Sequence, residues 1–126
     1  MTMDLMTAYR AGMFDGKADI AWLSQGWRGL RQYGRKAKAA IEAGDLITKG
    51  AMIGRADQLL NVMTGILDSE PGSRLGAALM TIYTALRFNL LRANIENSIA
   101  ALDDFEAALA ILDRDMIKSS ESAIAA

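Results

Sequence analysis

"DIAWLSQGWRGLRQYGRKAKAAIEAGDL", residues 19–46, decides the fold. Ile20, Leu23, Trp27, Leu30, Ala37 and Ile41 recur at steps of three and four, with Gly34 at the missing step, so one apolar seam runs along a helix. Asp19 is placed to cap its first turn. At the other end Gly44 is suited to the left-handed conformation that stops a helix, and Asp45 caps the next one at once. A stop and a start in adjacent residues turn the second helix back antiparallel to the first.

The repeat continues outward from this hairpin. Leu46, Ile53, Ala56, Leu60, Met63 and Leu67 form the seam of a second helix, which "DSEPGS" at 68–73 ends with the chain's single proline. A third helix, from about Ser73 to near Asn97, carries Leu75, Leu79, Ile82, Leu86 and Leu90, with Tyr83 widening the stripe. Ser98 caps a fourth, whose seam is Leu102, Phe105, Leu109, Leu112 and Met116. The reading is all-α: an antiparallel, up-down four-helix bundle over 19–118, preceded by an N-terminal arm or short helix (1–18) and followed by a fraying tail (119–126).

Composition narrows the chemistry. The chain has 126 residues, one domain's worth, with no cysteine and no histidine. Thiol nucleophiles, the commonest general base and the usual zinc ligands are therefore missing, so the expectation is a protein without catalysis, cofactor or metal. The net charge of −1 exerts no pull toward nucleic acid or an anionic bilayer. No uncharged run approaches the roughly 18 residues of a membrane span, and "MTMDLMTAYR" has no secretory pattern, so a cytoplasmic protein is expected. Arg28, Arg31, Arg35 and Lys38 line up opposite the first seam and read as a solvated outer face.

There is more apolar surface than such a bundle needs. Trp22, Gly26, Gly29, Tyr33 and Ala40 lie beside the first seam; Met52, Leu59, Val62 and Ile66 lie beside the second; Met80, Phe88, Leu91 and Ile95 lie on the third helix. Each glycine inside a helix costs roughly 1 kcal/mol relative to alanine, so Gly26 and Gly29 call for a reason. One reason is a groove floor that lets a partner helix come close; the other is close packing inside the bundle, which is favoured for Gly34 on the seam. Eight methionines would suit a surface that adapts to an apolar partner, or simply fill gaps in the core.

Two stretches carry a family resemblance. "IEAGDLITKGAMIGRADQLLNVM" (41–63) and "LMTIYTALRFNLLRAN" (79–94) resemble the FliS family of flagellin export chaperones, which pairs a Gly-Asp hairpin and a following lysine with a later Leu-Tyr helix ending in Leu-x-x-Ala-Asn. The matching positions are Gly44, Asp45, Lys49, Tyr83, Leu90, Ala93 and Asn94; Tyr9 is placed like the family's early tyrosine. In "LSQGW" (23–27) Gly26 matches the family's Leu-Tyr-Asp-Gly, whereas Ser24 and Gln25 depart from it. The resemblance implies a cytoplasmic chaperone that holds the C-terminal segment of flagellin as helices and passes it to the flagellar type III export gate. The binding candidates are then Tyr9, Trp22, Gly26, Gly29, Tyr33, Met52, Leu59, Tyr83, Leu91 and Asn94. The alternative is a structural or regulatory bundle that forms a homodimer through the same surface.

Overall fold

A computed structural model describes the backbone of residues 20–68 and 74–125 and the side chains of 22–65 and 77–115. The arm at 1–18, Asp19, the Pro71–Gly72 turn and the seam side chains of Ile20, Leu67, Leu75 and Met116 lie outside these. Four helices follow in order: α1 (Ile20–Glu42), α2 (Leu46–Asp68), α3 (Arg74–Glu96) and α4 (Ile99–Ala125). Packing joins α1 to α2, α2 to α3, α3 to α4 and α4 back to α1, while among the described residues the diagonal pairs have no α-carbons within 8 Å. This is the expected up-down ring of four. The backbone remains helical through Ala125, past the boundary set at 118, because "KSSESAIA" contains neither glycine nor proline to stop it.

The helix ends are built as the sequence indicates. Gly44 has φ +74°, its N–H donates to the Ile41 carbonyl (3.0 Å), and the Asp45 N–H donates to the Ala40 carbonyl (2.8 Å). These two bonds satisfy carbonyls that the end of α1 would leave open. Asp45 then accepts from the Thr48 N–H (3.1 Å) and the Thr48 hydroxyl (2.6 Å), bonds that hold its carboxyl below the usual range. Asn97, at φ +52°, makes the reversal between α3 and α4, and the Ser98 hydroxyl accepts from the Ala101 N–H (3.1 Å) to open α4. Asparagine tolerates this left-handed backbone better than most residues.

The four seams meet as expected. Leu23, Trp27, Leu30, Ile53, Leu60, Met63, Leu79, Leu86, Leu90, Phe105 and Leu109 are buried together. Leu46 is an exception, half exposed because it begins α2 beyond the end of the core. Gly34 has a clear structural cause: a β-carbon there would sit 3.1 Å from the Phe105 ring. At Gly54 the same β-carbon would meet nothing within 4 Å.

The basic stripe of α1 is not a free outer face. Arg28 reaches Asp113 (3.7 Å), Arg31 and Arg35 both reach Glu106 (3.0 and 2.6 Å), and Lys38 reaches Asp103 (2.8 Å). From Arg28 to Lys38 along α1 the acidic partners run back from Asp113 through the shared Glu106 to Asp103 on α4, so the charges form a ladder in antiparallel register. One helix's spacing could not reveal it, because the partners lie some 65 to 85 positions away. Ser24 extends the ladder inward, donating its buried hydroxyl to Asp113. Both guanidiniums at Glu106 converge on Oε1; Oε2 is buried without a hydrogen-bond partner among the described residues.

Two outcomes test this packing. Gly54→Ala should raise stability by up to about 1 kcal/mol through helix propensity, whereas Gly34→Val, forced against Phe105, should cost about 1–3 kcal/mol; thermal melting of both variants separates an open glycine from a packed one. Glu106 gives a pH signature. Burial pushes its carboxyl up, but the hydrogen bonds and charges of Arg31 and Arg35 outweigh burial and leave it below its ordinary value. A carboxyl whose folded value is depressed contributes stability above its unfolded pKa, about 4.3, and loses it as pH falls through the folded value. Glu106→Gln should therefore flatten the acid limb of the stability profile below about pH 4.5, with a loss of about 1 kcal/mol at neutral pH, read by urea titration at several pH values.

Candidate functional site

Of the ten candidate residues, Tyr9 lies outside the described residues. Tyr33, Leu59 and Tyr83 are core side chains, 6%, 0% and 2% exposed. This corrects their assignment to a surface groove. Spacing placed Tyr33 and Leu59 beside the main seams, but a helix touching two neighbours buries a stripe wider than one seam, and these residues fill its margin; Tyr83, a candidate through the family resemblance, sits in the stripe that its spacing indicated. Tyr83 has a specific task there: the Trp27 indole Nε1–H donates to its hydroxyl oxygen at 3.0 Å, joining α1 to α3 across the bundle diagonal. Burial pushes the Tyr83 phenol up to about 12, with the Trp27 hydrogen bond partly opposing it.

Gly26 and Gly29 are buried, so neither forms an open floor in this structure. Trp22 and Met52 are half-buried and pack against the core. Leu91 and Asn94 are exposed, and they share the outer side of α3. Asn94 also contributes through its backbone: the Lys49 ammonium donates to the Asn94 carbonyl (2.9 Å) and to Asn97 Oδ1 (2.7 Å). Lys49 is itself largely buried, and it closes the C-terminus of α3 from α2, where a cation suits the helix dipole.

The feature that the sequence only partly announced is the outer stripe of α3. Ala77, Thr81, Thr84, Phe88, Leu91 and Ile95 follow at steps of four, three, four, three and four, and all six are exposed. That is the spacing of a coiled-coil seam, set on the side away from the core. Phe88, Leu91 and Ile95 are 61%, 51% and 71% exposed, and none of the six bears a charge. The hydroxyls of Thr81 and Thr84 bond back to the carbonyls of Ala77 and Met80, so their own helix already satisfies them. The neighbouring charges are occupied as well: Arg87 pairs with Asp57 and Asn61 of α2, and Arg92 lies 3.7 Å from Glu96. A shallow depression lies over Thr81, Thr84, Ala85, Phe88 and Leu91. In the register set by the Lys49 and Arg87 contacts, the open glycines Gly50 and Gly54 of α2 lie level with the Leu91–Ile95 end of this stripe. The arrangement is an exposed, uncharged stripe along the outer side of α3.

Among the described residues, no group of three or more Asp or Glu is placed to hold a metal ion, and no helix is long and apolar enough to cross a membrane. Comparison with known proteins adds the lineage. The family profile described as flagellar protein FliS matches residues 25–115. Flagellar secretion chaperone FliSB of Pseudomonas aeruginosa is 33% identical over 74 residues, 59% of this chain and 59% of the relative. Flagellar secretion chaperone FliS of Salmonella typhimurium is 29% identical over 75 residues, 59% of this chain and 56% of the relative. The matched region thus spans somewhat more than half the length of these curated relatives.

The Trp27–Tyr83 bond is testable apart from any partner. Tyr83→Phe leaves the buried indole N–H without an acceptor, which should cost about 1–3 kcal/mol, measured by chemical denaturation. A variant as stable as the parent would show that the bond does not hold α1 to α3.

Proposed function

Since the chain belongs to the FliS family of flagellar proteins, we propose that it is a cytoplasmic, non-enzymatic chaperone whose client is the C-terminal segment of flagellin. It holds that segment as a helix, prevents premature polymerisation, and delivers it to a component of the flagellar type III export gate. The observation that carries the binding reading is the uncharged heptad stripe on the outer side of α3. An amphipathic helix buries its apolar face in such a seam, with anchors at i, i+3, i+4 and i+7.

The site is centred on Leu91 and Asn94, joined by Phe88 and Ile95. The glycines that give a client backbone room to approach are Gly50 and Gly54 of α2. Gly26 and Gly29, being buried, act in packing, and Trp22 and Met52 border the core. Full burial of one large apolar side chain contributes roughly 1.5–3 kcal/mol, so three such anchors on a preformed helix are ample for a chaperone that must also release its client.

Leu91→Glu and Ile95→Glu place a charge on an exposed stripe without touching the core. Each is expected to weaken capture of a flagellin C-terminal peptide by at least about tenfold, equivalent to about 1.4 kcal/mol, with thermal melting unchanged. Calorimetric titration beside melting is the check. Gly26→Leu, at a buried position, should instead lower the melting temperature. Full peptide affinity in a folded Leu91→Glu, Ile95→Glu double variant would move the client to another face.

A further inference from the structure

A second apolar surface lies at one end of the bundle. Leu46 and Ile47 stand side by side in the first turn of α2, 52% and 88% exposed, and Ile47 is the most exposed large apolar side chain among the described residues. The start of the helix does not need them, because Asp45 and Thr48 supply its cap. The two bonds of Lys49 tie this turn to the end of α3, where Ile95 is also exposed. Adjacent branched apolar residues in a solvated first turn are explained by a partner that covers them.

The surrounding charge selects that partner. Glu42, Asp45 and Glu96 are exposed around the pair, and the bonds from Thr48 hold the Asp45 carboxyl below its usual range, so it keeps its charge. Asp103 and Asp104 open α4 at the same end, which the contact between Lys38 and Asp103 (2.8 Å) joins to α1. The cations of this end are committed: Lys49 is buried on the Asn94 carbonyl and Asn97, Lys38 is held by Asp103, and Arg92 lies 3.7 Å from Glu96. A helix with an apolar face and lysine or arginine along its edges would cover Leu46 and Ile47 while its cations meet Glu42, Asp45 and Glu96. An acidic helix would be repelled.

We infer that the end of the bundle at Leu46 and Ile47 docks a basic amphipathic helix of a second protein. This docking is independent of any client on α3. The outer stripe of α3 bears no charge, whereas carboxylates surround Ile47, so the two surfaces select partners of different chemistry.

The probe is a synthetic helical peptide with leucine at i, i+3, i+4 and i+7 and lysine elsewhere; its control has glutamate in place of lysine. Each is titrated calorimetrically into the full chain at low and high salt, with circular dichroism confirming that every variant folds. The lysine peptide should bind at least about tenfold more tightly than the glutamate peptide and should weaken as salt screens the carboxylates. Ile47→Lys, at a side chain open to solvent, should cut its affinity at least about tenfold with melting unchanged. Ile111→Lys, at a half-exposed residue of α4, should bind as the parent does. The double variant Glu42→Gln, Glu96→Gln should flatten the salt dependence. A parent that does not bind the lysine peptide, equal affinity for the two peptides, or full affinity in folded Ile47→Lys would each overturn the inference. So would affinity lost in Phe88→Glu and kept in Ile47→Lys, since the peptide would then lie on α3.

Discussion

A hydrogen bond crosses the middle of the bundle, from the Trp27 indole to the Tyr83 hydroxyl, and the orientation of α3 depends on it. Both side chains are among the largest fully or nearly fully buried. An indole N–H can only donate, so it requires an acceptor inside the core, and leaving it unmet would cost as much as several apolar contacts contribute. Holding Tyr83 inward also turns Leu79, Leu86, Leu90 and Ala93 inward. With 3.6 residues per turn, the opposite side of α3 must then carry Ala77, Thr81, Thr84, Phe88, Leu91 and Ile95. The outer stripe is thus a geometric consequence of the inner one.

Charge is distributed with the same asymmetry. The ladder from Arg28–Asp113 to Lys38–Asp103 gathers ion pairs along the α1–α4 edge, where exposed rungs contribute little individually but define the register. Between α2 and α3 the described polar contacts include the Arg87 pairing with Asp57 and Asn61 and the Lys49 cap at the end of α3. The six stripe positions of α3 bear no charge, so a partner laid on them meets none that it must desolvate there. Its neighbour α2 exposes Gly50 and Gly54, where an added β-carbon would meet nothing within 4 Å.

Much of this was legible in the chain. The hairpin at Gly44–Asp45, the cap at Ser98 and the four seams are local patterns, and local backbone chemistry determines them. Periodicity, however, assigns a residue to a face without saying which neighbour covers that face. Tyr33 and Leu59 looked like surplus apolar surface and proved to be the margin of a wide core, whereas Phe88, Leu91 and Ile95, identified by the same rule, are exposed. Gly34 was legible as a close-packed seam position, and the group that approaches it is Phe105, seventy-one positions away; Gly26 and Gly29 suggested a groove floor and are instead buried. The basic stripe is solvated as read, with Arg28 and Arg35 more than half exposed, but its acidic partners lie on α4 and could not be seen from α1 alone. In each case the missing information was the register between distant helices.

On the proposed reading, α3 serves the core with one side and a client helix with the other. Methyl nuclear magnetic resonance of the folded protein, titrated with a flagellin C-terminal peptide, reads both sides in one experiment. Saturable shifts are predicted at the Leu91 and Ile95 methyls while the methyls of Leu86 and Leu90, nearby on the same helix but buried, hold their positions. Shifts confined to the methyls of α1, with Leu91 and Ile95 silent at saturation, would contradict this division of labour.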